Sequence, residues 1–465
     1  MKGFIVYPTY ATIGEENHIR LFGRLENGQS FLTINKLEPY FYVKKEDLES
    51  IKDKKIKTEQ TNLKTFEGKE VIKLVFKNRT EANNEHEKIR KKIETYEADI
   101  KPPYKFIIDN NLLGTIKIEG EYESSDKIDR IYKEPKISSI EFEPKLKTVS
   151  IDIESDKNSN KLFCIGIASS NYKKNFMITK NQLKNTVSCK NEPECLEKFK
   201  AELIKLDPDI ITGWNIIDFD FAYLQRLFKK YKIKFDLGRT DEEASLRIEK
   251  NFFKASTMDV PGRQVLDALN LIKDPFLKDS PFMRNIKFES YTLENVSQAM
   301  LKKGKIISGE NRHEEIEKLY ETHSQTSLQK LADYNLTDCD LVLEILEKTK
   351  MIELATERSQ LTGMPLDRIT ASIAAFDSLY IREAKKHNLV SPTSEYQKKE
   401  RRIEGGYVQS QHPGIYKNVL VLDFKSLYPS IIRTFNIDPA SFLEKCEKNS
   451  IEAPNGACFK NQEGV

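Results

Sequence analysis

No Cys-x-x-Cys pair occurs among the six cysteines, Cys164, Cys189, Cys195, Cys339, Cys446 and Cys458, which are scattered along the chain. That spacing excludes the common structural zinc modules and, in a long chain, argues for a reducing compartment. Net charge is lacking too: 75 Lys and Arg stand against 72 Asp and Glu, a balance of +3. A polyanionic partner would therefore have to be met by charge segregated on one surface. Long apolar runs are also missing. The run Phe4 to Tyr7 is closed by Pro8, too short for the apolar core of a signal peptide, and no stretch approaches membrane-spanning length. The expectation is a soluble intracellular protein with no membrane partner. At 465 residues the chain should form roughly two to four domains, each able to bury its own core.

From Gly3 to about Glu143 the pattern is of short alternating strands, Ile19 to Phe22 and Tyr40 to Val43 among them, followed by a polar helix from Thr80 to about Tyr96. Lysine-rich segments such as Lys52 to Lys57 read as solvated faces. At Leu146 the character changes. Alternation points Val149, Ile151 and Ile153 one way and Ser150, Asp152 and Glu154 the other, so two carboxylates leave one face of a strand. From Asp209 to Thr212 a second short strand is expected, with Asp220 at the start of a helix whose core face is Phe221, Leu224, Leu227, Phe228 and Tyr231. A carboxylate there gains from the helix dipole whether or not it binds metal. Ser327 to Lys350 reads as one helix with Leu331, Tyr334, Asp338, Leu341 and Ile345 on its inward face. Burying Asp338 without a cation or hydrogen bonds is costly, so a metal or an arginine is expected nearby. Lys302 to His323 reads as a polar loop with a short helix, and His313 and His323 as surface residues. After Lys350 the chain is expected to be helical to about Lys386, and Ser391 to Lys399 reads as a linker.

Near the C-terminus, Val419 to Leu422 is an unbroken aliphatic run, expected to be a strand buried on both faces. Asp423 ends it, and Pro429 and Ser430 open a helix, where proline's missing N–H is not needed. A carboxylate between a strand and a helix N-terminus can hold a hard cation, while free N–H groups take an anion.

The run Asp-Phe-Lys-Ser-Leu-Tyr-Pro-Ser-Ile-Ile from Asp423 to Ile432 resembles the first palm motif of family B DNA polymerases, in the form shared by the bacterial polymerase II branch and archaeal members. The resemblance implies that Asp423 binds the catalytic metals and that Phe424 assists through its carbonyl. It further implies that Ser426 and Leu427 border the nucleotide, and that Tyr428 packs under the incoming sugar. Asp152, Glu154, Asp220 and Asp338, with Tyr334, reproduce in order the three exonuclease motifs of the same family. Four such carboxylates can hold two divalent ions, and all-oxygen ligation favours Mg²⁺ or Mn²⁺ over zinc. Asn215 and Phe219 stand where the single-stranded 3′ end is held, an aromatic offering any base a stacking surface. In Arg401-Arg-Ile-Glu-Gly-Gly-Tyr-Val408 the backbone of Gly405 and Gly406 would approach DNA closely, although Ile403 replaces the family's tyrosine. Pro39 and Tyr40 stand where archaeal members build a template-uracil pocket. Asp338-Cys339-Asp340 is set aside as a second palm motif, because residues two apart on a helix point to different sides.

Two family features are absent. No Lys-x-x-x-Asn-Ser-x-Tyr-Gly follows the palm motif, and there is no palm Asp-Thr-Asp. The implied fold class is α/β multidomain: an α+β N-terminal domain, 1–143, completed by 349–388; a ribonuclease H-like mixed-sheet exonuclease domain, 144–348; and the start of an α+β polymerase palm, 389–465. The implied activity is DNA-directed DNA synthesis with 3′ to 5′ proofreading, on primer-template, single-stranded 3′ ends and deoxynucleoside triphosphates, in the cytoplasm with the nucleoid. Synthesis would need a C-terminal polymerase polypeptide, from a split gene or from the rest of a truncated sequence. A stand-alone metal-dependent 3′ to 5′ exonuclease and a non-catalytic DNA-binding subunit are the alternatives.

Overall fold

The computed structural model describes the chain apart from residues 15, 52–55, 250–255, 279–282, 285, 308–311, 369, 395–411 and 462–463. It divides into two compact units, Met1–Leu37 with Lys101–Leu379, and Glu38–Ile100 with Tyr380–Val465.

The first unit opens with a seven-stranded sheet in which Lys2–Ile13, Glu16–Leu25 and Ser30–Lys36 form an antiparallel meander. Its apolar face, Ile19, Leu21 and Phe31 included, packs on Phe106 and Ile107 of the helix Pro102–Asp109. The rest of the unit is built on a six-stranded mixed sheet of β1 (Thr148–Ser155), β2 (Leu162–Ser169), β3 (Tyr172–Ile178), β4 (Thr186–Cys189), β5 (Ile210–Gly213) and β6 (Gln264–Asp267). The spatial order is β4-β3-β2-β1-β5-β6. β1 pairs antiparallel with β2 and parallel with β5.

The alternation read in β1 sorts its residues between two layers. Val149, Ile151 and Ile153 pack with Leu196 and Phe199 of α1 (Glu192–Leu206) and with Leu224 and Phe228 of α2 (Ala222–Lys230). Burial of each such side chain contributes about 1.5–3 kcal/mol. The opposite face lies under the long helix α5 (Gln325–Thr349), which carries the predicted stripe: Leu331, Tyr334, Asp338, Leu341 and Ile345 are all buried. Before it in sequence come α3 (Leu293–Leu301) and α4 (Arg312–Glu321). Ile316 and Tyr320 of α4 pack in one cluster with Leu331 and Tyr334.

A buried ion cluster fixes the start of β5. Asp209 lies 2.9 Å from Arg24 of the strand Glu16–Leu25 and 2.7 Å from Arg239, and Asp207 lies 2.8 Å from Arg263. Burial acts to raise the Asp207 carboxyl, but the three guanidinium groups prevail and bring it down to about 2. Asp209 is thus part of the internal framework as well as the residue ahead of a strand.

The second unit holds a four-stranded sheet ordered Lys57–Lys64, Glu70–Val75, Tyr40–Lys44, Thr95–Tyr96. The helix expected to reach Tyr96 ends at Ile89, because Thr95 and Tyr96 join the ladder opposite Val43 and Tyr42. The expected linker also begins in structure: Pro392 bridges Tyr96, and the Thr393 N–H donates to the Thr95 carbonyl at 2.9 Å. A small sheet of Phe442–Leu443, Cys458–Phe459 and Ile451–Glu452 follows. There Cys446 and Cys458 are joined in a disulfide, Cα to Cα 5.3 Å. The cysteine spacing did not suggest this pairing; Cys458 pairs with Leu443, which brings it beside Cys446 just beyond that strand. The other four cysteines are free and buried.

One expectation fails outright. Val419 to Leu422 form no strand and are between 67% and 86% exposed. A strand holds its shape through ladder partners and apolar cover, and no described strand pairs with this run. The helix beyond it, α6 (Leu427–Phe435), is present with Pro429 in its first turn. Among the described residues, no helix is long and apolar enough to cross a membrane.

Candidate active site

Asp152 and Glu154 leave β1 on the face that α5 covers, and Asp338 descends to them from α5. One carboxylate oxygen from each lies within 4.8 Å of the others. Glu154 and Asp338 are buried and Asp152 is half-buried. Removal from water and mutual repulsion both disfavour three negative charges at that spacing. Burial and then the Asp338 charge push Asp152 up to about 7. Burial, followed by Asp152 and Asp338, drives Glu154 well above the usual carboxylate range. Burial also raises Asp338, against the pull of Lys305.

Asp220 lies beside this set, in a single π-helical turn, Ile217–Phe221, that runs into α2. Its Oδ1 accepts the N–H of Ile153 at 3.0 Å, between the two acids of β1. Burial and then the Asp152 charge raise it well above its ordinary range. Phe219, in the same turn, is 44% exposed, and its N–H donates to the carbonyl of Asn215, which adopts a left-handed backbone.

The charge in contact with buried Asp338 is a lysine, Lys305, where a metal or an arginine was expected. Its ammonium donates to Asp338 Oδ2 and, at 3.3 Å, to the Tyr334 hydroxyl. Lys305 stands in a Lys-Lys-Gly-Lys run that looks like any solvated stretch, so nothing in the sequence marked it. Arg312, at the start of α4, adds a second positive charge that acts on Asp152, Glu154, Asp338 and Tyr334 alike. Asn335 also went unmarked: its Nδ2 donates to Asp152 Oδ2 at 2.6 Å.

These residues fit a divalent cation. The donor set is all oxygen, as hard cations require, and Asp338 Oδ1 is buried with no hydrogen-bond partner among the described residues. The burial that raises the three acids is the condition under which a bound cation gains most from them.

The second predicted site is not assembled. Asp423, Phe424, Ser426, Leu427 and Tyr428 are all exposed, Phe424 and Tyr428 by 79% each. Ser426 adopts a left-handed backbone at the head of α6. Among the described residues the one acidic group at metal-binding separation is Asp152, Glu154 and Asp338. Gly405 and Gly406 lie outside the described residues.

Comparison with known proteins agrees with this division. Residues 93–296 match the model of the DNA polymerase family B exonuclease domain, a span that includes Asp152, Glu154 and Asp220 and stops before Tyr334 and Asp338. Residues 370–463, Asp423 among them, match the model of DNA polymerase family B. DNA polymerase II of Escherichia coli is 33% identical over 393 residues, which cover 82% of this chain and 47% of the relative. A DNA polymerase of Thermococcus gorgonarius is 28% identical over 488 residues, covering 98% of this chain and 57% of the relative. This chain thus spans about half the length of these relatives. The structure of the family B DNA polymerase from Pyrobaculum calidifontis shares its fold, with a TM-score of 0.76 at 21% identity over 100% of this chain and 61% of that one. With one family segment on either side of the helix that carries Asp338, the chain belongs to DNA polymerase family B.

Proposed function

We propose that this chain supplies the 3′ to 5′ editing site and one wall of the synthetic site of a template-directed DNA polymerase acting in replication or repair. The observation that carries the editing half is the buried set of Asp152, Glu154 and Asp338 oxygens within 4.8 Å of one another. Asp152, Glu154, Asp220 and Asp338 would hold two Mg²⁺ or Mn²⁺ ions, which supply an activated water and charge stabilisation at the leaving 3′ oxygen.

The chain's own groups do the rest. Lys305 and Arg312 keep positive charge beside the acids, where a phosphodiester must enter a negative site. The Tyr334 hydroxyl, held by Lys305, is placed to orient the attacking water. Phe219 offers an exposed ring for stacking the unpaired terminal base, and Asn215 sets the turn that presents it. In the synthetic half, Asp423 would bind metal, Phe424 would lend its carbonyl, and Tyr428 would lie under the sugar. Ser426 and Leu427 would border the nucleotide, and the backbone of Gly405 and Gly406 would follow the DNA.

The boundaries proposed are 1–143 with 349–388 for the N-terminal domain, 144–348 for the exonuclease and 389–465 for the beginning of the palm. The setting proposed is the cytoplasm, at the nucleoid, with a C-terminal polymerase polypeptide as partner. A stand-alone exonuclease is the second reading. It is favoured by the contrast between an assembled upstream cluster and an exposed Asp423.

The test measures degradation and extension of a labelled primer-template with Mg²⁺ and with Mn²⁺, alone and with a supplied fingers-and-thumb polypeptide. Degradation alone, with extension appearing on addition, supports the polymerase reading. Degradation that no addition converts to synthesis supports the second reading, and absence of degradation of single-stranded 3′ ends with either ion removes both.

A further inference from the structure

The strand registers place three residues in one row across the sheet. Asp152 of β1 is opposite Gly166 of β2, and Gly166 is opposite Asn175 of β3. Opposed residues point to the same face, so all three positions lie under α5. Gly166 leaves the middle of the row empty, and Asn335 of α5 descends into the space. A Cβ at position 166 would stand 2.4 Å from Asn335 Oδ1 and 3.2 Å from Cys339 Sγ. Asn175 and Asn335 are both fully buried.

We infer that Asn175 and Asn335 form an amide relay that positions the Asp152 carboxylate for divalent-cation binding, with Gly166 providing its channel. Asn175 Nδ2 donates to Asn335 Oδ1 at 2.6 Å, and Asn335 Nδ2 donates to Asp152 Oδ2 at 2.6 Å. The direction follows from the last acceptor. In the ionised form that binds a cation the carboxylate can only accept, so the atom facing it is the amide nitrogen. That turns the Asn335 oxygen back toward Asn175, which must then donate as well. One oxygen of Asp152 is thereby held, and the carboxylate faces Glu154 and Asp338 in a fixed orientation. A hydrogen bond donated to the ionised form also favours that form, against the burial and repulsion that oppose it. Partners behind a metal ligand act in this way, and their loss weakens metal affinity by about 10- to 100-fold. Asn335 and Asn175 are therefore positioning residues that act through Asp152.

The inference rests on the metal-dependent editing site proposed above, so its readout is cation affinity rather than nuclease activity. Mn²⁺ binding to the full chain is measured by electron paramagnetic resonance for the wild type, Asn335→Ala, Asn175→Ala and the double variant. Circular dichroism and thermal midpoints serve as the fold control. Asn335→Ala should weaken binding by about 10- to 100-fold. Asn175→Ala should weaken it less, and the double variant should bind no worse than Asn335→Ala, because Asn175 acts only through Asn335. Gly166→Ala, which displaces the Asn335 amide without deleting it, should reproduce the loss and keeps the test open if Asn335→Ala does not fold. Unchanged affinity in folded Asn335→Ala, or losses that add in the double variant, overturn the relay, and so does a wild type that binds no Mn²⁺. The predicted losses in a chain that degrades no DNA would uphold the relay and remove the editing reading.

Discussion

Asp152 faces Glu154, Asp338 and Asp220, with an amide and two nearby cations to offset them. Its behaviour is therefore set by surroundings rather than by type. In the folded chain it keeps its proton up to about pH 7, whereas a free aspartate releases it near 3.8. Between those values the folded state binds more protons than the unfolded one, so metal-free stability must fall as pH rises. Calorimetry with a chelator should give a lower unfolding temperature at pH 8 than at pH 6, and Mn²⁺ should abolish the difference. An unfolding temperature that rises with pH in chelator would refute this account of the cluster. A second residue-scale prediction separates the two sites. Asp152→Ala should remove degradation of single-stranded 3′ ends, while Asp423→Ala leaves it intact and blocks synthesis in the reconstituted enzyme. Equal damage to both activities from either substitution would contradict the division.

At the scale of elements, α5 and β1 meet because each was patterned for one buried face. The periods 2 and 3.6 were legible, and so was the odd presence of acids on those faces. What α5 needed in order to bury Asp338 was not legible, since Lys305 comes from a segment with no periodic signal and reaches it only through the fold. Arg24 makes the same point at the other end of the sheet, where it anchors Asp209 from a strand 185 residues away in sequence. Arg24→Ala would leave buried Asp209 with one guanidinium fewer. The expected cost is about 3–5 kcal/mol, the range for breaking a buried ion pair. A shift of the denaturant midpoint well under 1 kcal/mol would mean that Arg239 and Arg263 suffice alone.

For the whole molecule, the unusual feature is apolar surface. Val419, Leu420, Val421, Leu422, Phe424 and Tyr428 are all more than half exposed, and runs of this kind mark surfaces meant to be covered. Backbone amides from Val419 to Phe424 should exchange with deuterium rapidly in this chain alone and become protected when a fingers-and-thumb polypeptide is added. Exchange that stays fast in a complex competent for synthesis would show that the run is not part of the completed palm.

The sequence by itself determined the layering of the six-stranded sheet and the inward stripe of α5, because these follow from short-range periodicity, while the resemblance to the family's exonuclease motifs marked the acids. Only the tertiary structure decided which groups answer those acids. Lys305, Asn335 with Asn175 behind it, and the space left by Gly166 are brought together by strand register and helix packing, and no local pattern encodes such a meeting. The same reason explains the failed expectation at Val419 to Leu422. An aliphatic run carries the propensity for a strand, but a strand exists only where neighbouring backbone completes its ladder.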